Sequence, residues 1–373
     1  KSREIARDLT DMIQTQILSD VRKVYNPQWS RRGMWNQSYI EARIPDVPTM
    51  LLELLSHQNF ADMRYGLDPR FRFLICRAIY KGMLRYICFQ NKQEPIVQPL
   101  PPDRLYTELV ETNKVRIGWK AVQDTLEESA SPTAYILYSR KDSGGFDNGT
   151  LVKGEEIILP IETGIIHSYK VAAVNKGGIS FPSEIVSVYR SPKGEKDKTV
   201  LIVNGFDRIS GPASFESTAD SLAGFLYAVD RPYLNDIALI GDQVEFRRSA
   251  TWNSNDNNGH GDSYNNYAGQ VIAGNTFDYP FIHGQAMAGT GYSFVSCSHK
   301  SLAEGVVKPD PYPNIDLILG KQRQPVITPV LQDTLRSYLA QGGNLLVSGT
   351  NLFSDSWGNA QDRTFVEEVL KGK

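Results

Sequence analysis

Residues 314–349 read NIDLILGKQRQPVITPVLQDTLRSYLAQGGNLLVSG, and this stretch decides the architecture of the C-terminal part of the chain. It opens on an apolar run, Ile315 to Leu319, closed by Gly320. A helical apolar period follows from Thr328 to Ala340, stopped by Gly342 and Gly343, and a second apolar run, Leu345 to Val347, comes next. Apolar runs of strand length separated by one helix predict a mainly parallel sheet covered on both faces, because only such a sheet takes strands that are apolar throughout. Toward the N-terminus, Val200-Leu201-Ile202-Val203 and GYSFVSCS (291–298) read as further strands of the same sheet. SFESTADSLAGFLYAV (214–229) reads as a helix, and 249–290 as an insertion rich in Asn, Gly and aromatic residues.

From Asp103 to Tyr189 the period changes to 2. VRIGWKAV, TAYILYSRK, EEIILPI, HSYKVAAVNKGG and SEIVSVYR alternate, with turn clusters such as SGGFDNG between them. Regular short strands over this span predict a β-sandwich. Residues 92–102 (KQEPIVQPLPP) and 191–199 (SPKGEKDKT) read as linkers, since closely spaced prolines and polar residues deny strand pairing. Ahead of them, Ile5, Leu9, Met12, Ile13, Ile17 and Val21 are spaced as on one helix face, and a second helix is predicted from about Pro69 to Phe89. Between the two helices, Thr49 to Leu55 (TMLLELL) reads as a short buried strand. Helix, strand and helix make the tail of an α/β domain. The opening residues do not read as a signal peptide but as the inside of a helix, so the chain is expected to be a mature or truncated piece.

Composition narrows the function classes. The 373 residues carry 40 Lys and Arg against 42 Asp and Glu, a balance that argues against a nucleic-acid binder. No apolar run reaches the roughly 18 residues of a membrane helix. Three cysteines (Cys76, Cys88, Cys297) exclude a disulfide scaffold and a cysteine-ligated zinc module, and five histidines (His57, His167, His260, His283, His299) leave few metal candidates. The 18 tyrosines and 30 glycines fit an extracytoplasmic, carbohydrate-facing protein.

Glu53 is the leading candidate for chemistry. A carboxylate inside TMLLELL is costly unless paired, hydrogen-bonded or near a metal; the alternative is that the strand ends there and leaves Glu53 at a solvated edge. In the third segment, Cys297 lies two residues before His299, where a buried spectator thiol is expected rather than a dyad. Ser348 lacks a G-x-S-x-G elbow. Asn253 to Asp262 (NSNDNNGHGD) offers oxygen ligands for calcium or sugar hydroxyls but lacks the calcium-loop spacing, so a polar surface loop is the expected reading. Trp252, Tyr264, Tyr267 and Tyr279 suit sugar stacking or a core equally, and Gly205 with Gly211 makes no dinucleotide fingerprint.

The stretch 47–87 also carries a resemblance. Pro48, Leu51, Leu52 and Glu53, then Ser56 and Asn59, then Ala78, Ile79, Gly82, Met83 and Tyr86 resemble the closing part of the zinc-dependent N-acetylmuramoyl-L-alanine amidases of type 3. Ser2, Ile5, Ala6, Arg32 and Gly33 continue the match upstream. The resemblance implies that residues 1–91 are the C-terminal part of an amidase α/β domain. It implies further that Glu53 is catalytic, serving a zinc-bound water that attacks the amide between N-acetylmuramic acid and L-alanine. It places all zinc ligands upstream of Lys1, with no metal ligand in this chain, and His57 falls at no ligand position. The chain alone is therefore expected to be inactive.

Residues 103–190 resemble a fibronectin type III module. Trp119 falls at its core tryptophan, and Tyr169, Val171, Ala173, Asn175, Gly178 and Ser180 match its closing pattern. This implies a buried Trp119 and a Tyr169 hydroxyl bonded to backbone. Residues 198–373 resemble the flavodoxin-like, class I glutamine-amidotransferase-like α/β fold. Where that family bears a nucleophilic Cys, this chain reads Val347-Ser348-Gly349-Thr350-Asn351, so the domain is expected to be non-catalytic. The fold class expected is thus multidomain, α/β plus all-β. The same set of domains resembles large Bacteroidetes proteins often labelled xanthan lyase. The expected protein is a secreted, extracytoplasmic cell-wall hydrolase whose partner is peptidoglycan or another glycan, with no nucleic acid. The alternatives are a non-enzymatic surface glycan-binding protein or adhesin, and a polysaccharide lyase.

Overall fold

The computed structural model describes residues 2–37, 39–111, 113–193, 199–206, 214–225, 242–243, 263–264, 278–320, 326–349, 352 and 360–371. The chain is mixed α and β and falls into two compact units. The first takes residues 1–97 with 211–229 and 233–273, the second 98–210, 230–232 and 274–373.

In the first unit, helices α1 (Ser2–Val24), α2 (Ile40–Arg43), α3 (Phe60–Gly66) and α4 (Pro69–Asn91) follow in order. Asp68 caps α4 by accepting from the Arg70 amide, Pro69 supplies a pre-set first turn, and Lys92 ends the helix in the left-handed region. α1 turns Ile13, Ile17 and Val21 onto Phe71, Ile75 and Ala78 of α4, an i, i+4 stripe against its counterpart. Gly82 lets the backbones approach, since a Cβ there would stand 2.7 Å from the Ile13 Cα. Beside it, the Lys81 ammonium and the Asp20 carboxylate meet at 2.7 Å with side chains 1% and 2% exposed.

Two expectations fail in this unit. Residues 49–55 pair with no strand among the described residues. The segment is extended, and its exposure alternates: Met50, Leu52 and Leu54 pack on the α1/α4 core, while Leu51 and Glu53 face out. The helix pair covers the apolar side of the run, which therefore needs no sheet. Residues 214–225 are a hairpin rather than a helix, with Ser214–Ser217 (β10) antiparallel to Leu222–Phe225 (β11). The Ser217 hydroxyl bonds the Asp220 carboxylate at 2.7 Å and Ser221 takes a φ of 52°, so local side-chain bonding closes a turn where a helix would have continued. A second short pair joins Asp242–Gln243 (β12) to Ser263–Tyr264 (β13).

The second unit begins with a sandwich. Strands β1 (Asp103–Glu111), β2 (Lys114–Lys120) and β5 (Glu156–Pro160) form one antiparallel layer in the order β1-β2-β5. β4 (Thr150–Val152), β3 (Ala134–Lys141), β6 (Ile166–Asn175) and β8 (Val186–Tyr189) form the other in the order β4-β3-β6-β8, and β7 (Gly178–Ile179) also lies against β6. Leu105, Val115, Ile117, Trp119, Tyr135, Leu137, Tyr169, Val171 and Val188 fill the space between the layers. Trp119 is 1% exposed and stands edge-on to Tyr135, with ring centroids 5.4 Å apart. The Tyr169 ring is buried, but its hydroxyl makes no hydrogen bond among the described residues. Ring packing holds it, not the expected bond to backbone.

Four parallel strands follow: β9 (Val200–Asn204), β14 (Phe294–Ser298), β15 (Asn314–Gly320) and β16 (Asn344–Gly349), ordered β14-β9-β15-β16. The chain leaves β9 to one side and returns to the other, which is the doubly wound pattern. Helices α6 (His299–Ala303) and α7 (Pro329–Ala340) put Leu302, Leu331, Leu335 and Tyr338 on one face. Helix α5 (Tyr279–Gly289) puts Phe281 on Val200, Ile202, Phe294 and Ile318 of the other. A short helix, α8 (Ala360–Thr364), runs on into a π-helical turn, Phe365–Val369. Gly320 ends β15 at a φ of +57°, with the Phe206 ring 2.9 Å from where a Cβ would stand.

The sandwich and the parallel strands share one sheet. The outer edge of β14 is taken by β8, with Phe294 opposite Tyr189, and by β1, with Cys297 opposite Tyr106. A buried polar seam stitches this junction. The Ser296 hydroxyl accepts from the Ser187 amide at 2.6 Å and donates to its carbonyl at 2.7 Å. The Ser296 amide donates to the Thr107 hydroxyl at 2.9 Å, and the Ser191 amide to the Ser293 hydroxyl at 3.0 Å.

Candidate functional site

Glu53 stands exposed in the extended segment that leads to α3, and its carboxylate makes no hydrogen bond or ion pair among the described residues. The fold around it is well specified. The Ser56 amide donates to Asp62 at 2.8 Å, and the Asn59 side chain caps α3 through the Ala61 amide at 2.9 Å. Of the two readings open for this acid, the solvated edge describes its surroundings; the strand on which the resemblance placed it is not formed. His57 is exposed in the following turn.

Cys297 is fully buried in the core between β14 and α6, and burial pushes its thiol well above the usual range. A neutral, enclosed thiol is no nucleophile. With a thiol reagent, Cys76 alone should titrate quickly in the native chain, because Cys88 and Cys297 are buried and Cys76 is exposed. Loss of a fast-reacting thiol in Cys297→Ser would contradict this. Ser348 lies half-buried in β16 opposite Ile318, with no base bonded to it among the described residues. Thr350 and Asn351 of the following turn lie outside the described residues, as do Asn253 to Asp262, Trp252 and Tyr267; of Tyr264 only the backbone is described. Tyr279 packs edge-on against Phe206 at 5.5 Å, so it serves the core.

The histidines divide by role. His167 is buried and accepts the Glu162 amide at 3.0 Å; burial, then Lys141, lowers its pKa. His299 is buried on α6. His283 differs. Its Nδ1 lies 2.7 Å from Oδ2 of Asp316, whose side chain is 1% exposed in the middle of β15. The other Asp316 oxygen, Oδ1, is buried without a hydrogen-bond partner among the described residues. Sequence reading missed this pair, although the signal was present: Asp316 sits inside NIDLILG as Glu53 sits inside TMLLELL.

Among the described residues no three His, Cys, Asp or Glu side chains gather in a way that would hold a metal. Among them, too, no helix is long and apolar enough to cross a membrane.

No family model and no curated protein matches the chain. Solved structures match it over less than a third of its length each. The twitchin kinase region from C. elegans is 22% identical over 25% of this chain and 16% of its own, with a TM-score of 0.23. Titin kinase with its flanking domains is 15% identical over 29% and 23%, with a TM-score of 0.24. A myokine is 16% identical over 25% of this chain and 98% of its own, with a TM-score of 0.22. This chain thus spans less than a quarter of the twitchin and titin chains that it matches.

Proposed function

We propose that this chain belongs to a secreted cell-envelope hydrolase of the N-acetylmuramoyl-L-alanine amidase class, acting on peptidoglycan, in which residues 1–91 contribute Glu53 and the metal ligands come from outside the described residues. What supports the reading is the run of motif residues around Glu53, of which Ala78 and Gly82 form the α1/α4 contact, while the exposed Glu53 carboxylate is open to a ligand. In the same reading the sandwich is a fibronectin type III-like module, supported by its layers β1-β2-β5 and β4-β3-β6-β8 around Trp119. The parallel sheet is an amidotransferase-like domain without its nucleophile, supported by the strand order β14-β9-β15-β16 and by the sequence Val347-Ser348-Gly349-Thr350-Asn351, which has no Cys.

The test is a muropeptide digest by the native full-length protein, with and without Glu53→Ala. Because Glu53 is exposed and unpaired, the substitution should change stability by less than about 0.5 kcal/mol. Amide cleavage should fall to background. Cleavage that survives Glu53→Ala removes the glutamate from the mechanism. Retention of intact peptidoglycan without any cleavage would instead favour a glycan-binding protein.

A further inference from the structure

The geometry points to a second site, independent of the amidase reading, at His283 and Asp316: we propose that this carboxylate–imidazole pair is a general base for hydrolysis of a neutral carboxylic ester. With Asp316 accepting at Oδ2, we place the shared proton on His283 Nδ1, and a ring without a second proton presents its lone pair at Nε2. Nε2 has no partner among the described residues, and the His283 side chain is 28% exposed while that of Asp316 is 1% exposed. A buried carboxylate thus fixes the tautomer and the plane of an imidazole whose working nitrogen is open. This is the arrangement by which a third group orients a base.

Asp316 Oδ1 supplies the second observation. A buried carboxylate oxygen without a donor is costly, and a ligand O–H or N–H would satisfy it.

The surroundings select the substrate class. α5 (YPFIHGQAMAG), β15 (NIDLILG) and β16 (NLLVSG) contain no lysine or arginine, and Arg140, which stacks on Phe281 of α5, is paired with Asp278, so these elements offer a phosphate or carboxylate little counter-charge. Leu346, in register beside Asp316 on β16, is 57% exposed, and Ile282 is 46% exposed. An uncharged acyl group suits these apolar neighbours. In the reaction, His283 Nε2 takes a proton from water as the water oxygen bonds to the ester carbonyl carbon. The bond from that carbon to the alcohol oxygen then breaks, and the alcohol leaves with the proton from Nε2. Water and ester are consumed; acid and alcohol are formed.

The probe is p-nitrophenyl acetate, hydrolysed by the full chain and by its variants. His283→Gln, which can keep a donor on Asp316, should lower the protein-dependent rate by at least about tenfold, since a positioned base typically contributes roughly 100-fold or more. Asp316→Asn should lower it as well, and ¹⁵N NMR of labelled histidine should show the His283 proton move from Nδ1 to Nε2. Equal rates for the native chain and His283→Gln would overturn the proposal and leave the pair a pin between α5 and β15. Should either variant fail to fold, the tautomer in the native chain decides: a proton on Nε2 excludes the base.

Discussion

Lys81→Met should destabilise the α1/α4 pair by about 3–5 kcal/mol, the usual cost of stranding one partner of a buried ion pair. Lys81 and Asp20 are 1% and 2% exposed, and their 2.7 Å contact is a charge contact off the direction of a hydrogen bond. Without the ammonium, the Asp20 carboxylate keeps, among the described residues, only the Gln16 amide, 2.9 Å from Oδ1, inside a helix interface. Amide hydrogen exchange across 2–24 and 69–91 is the measurement, because these helices are the framework of the first unit. Protection should fall by roughly 100-fold or more, at 1.4 kcal/mol per factor of ten. Replacing both partners, as Lys81→Met with Asp20→Leu, should recover much of the loss, since an apolar pair of similar volume carries no desolvation cost. A single variant as stable as the native chain would show that Asp20 finds another way to lose or solvate its charge.

Ser296→Val should cost about 2–5 kcal/mol in the second unit. The hydroxyl removed is both acceptor for the Ser187 amide and donor to its carbonyl, so a buried N–H loses its partner. The branched side chain adds bulk where Ser296 is wholly buried, which is destabilising in its own right. The pattern of the loss matters more than its size. Because β14 pairs with β8 and β1 as well as with β9, protection in β6 of the sandwich and in β9 of the parallel sheet should fall together. Loss confined to β9 would mean that the two parts open separately.

Much of this fold is legible in the sequence. Continuous apolar runs such as VLIVN and NIDLILG become buried parallel strands, because nothing but a two-faced sheet suits them. Pro69 and Pro329, each one residue past a capping side chain, mark helix starts correctly. Two readings fail for reasons that periodicity does not carry. TMLLELL has the composition of a strand, but its burial comes from two helices, and which neighbour covers a run is a tertiary fact. Residues 214–225 have helical spacing, but Ser217 and Asp220 bond locally and turn the chain. The candidate site divides in the same way. Glu53 was singled out because a carboxylate in an apolar run implies burial, and the chain lays it outward. Asp316 meets the same criterion and is buried, with an imidazole brought from 33 positions away in sequence.

The seam between sandwich and parallel sheet bears on mechanics. A tether at 191–199 would let two bodies swivel, so that a load on one would leave the other undisturbed. A common sheet transmits torque instead: twisting the sandwich strains the hydrogen bonds of β14, and through them β9 and β15, whose Asp316 holds His283. Force borne by the sandwich end of such a lever would arrive at the imidazole as a change in its orientation.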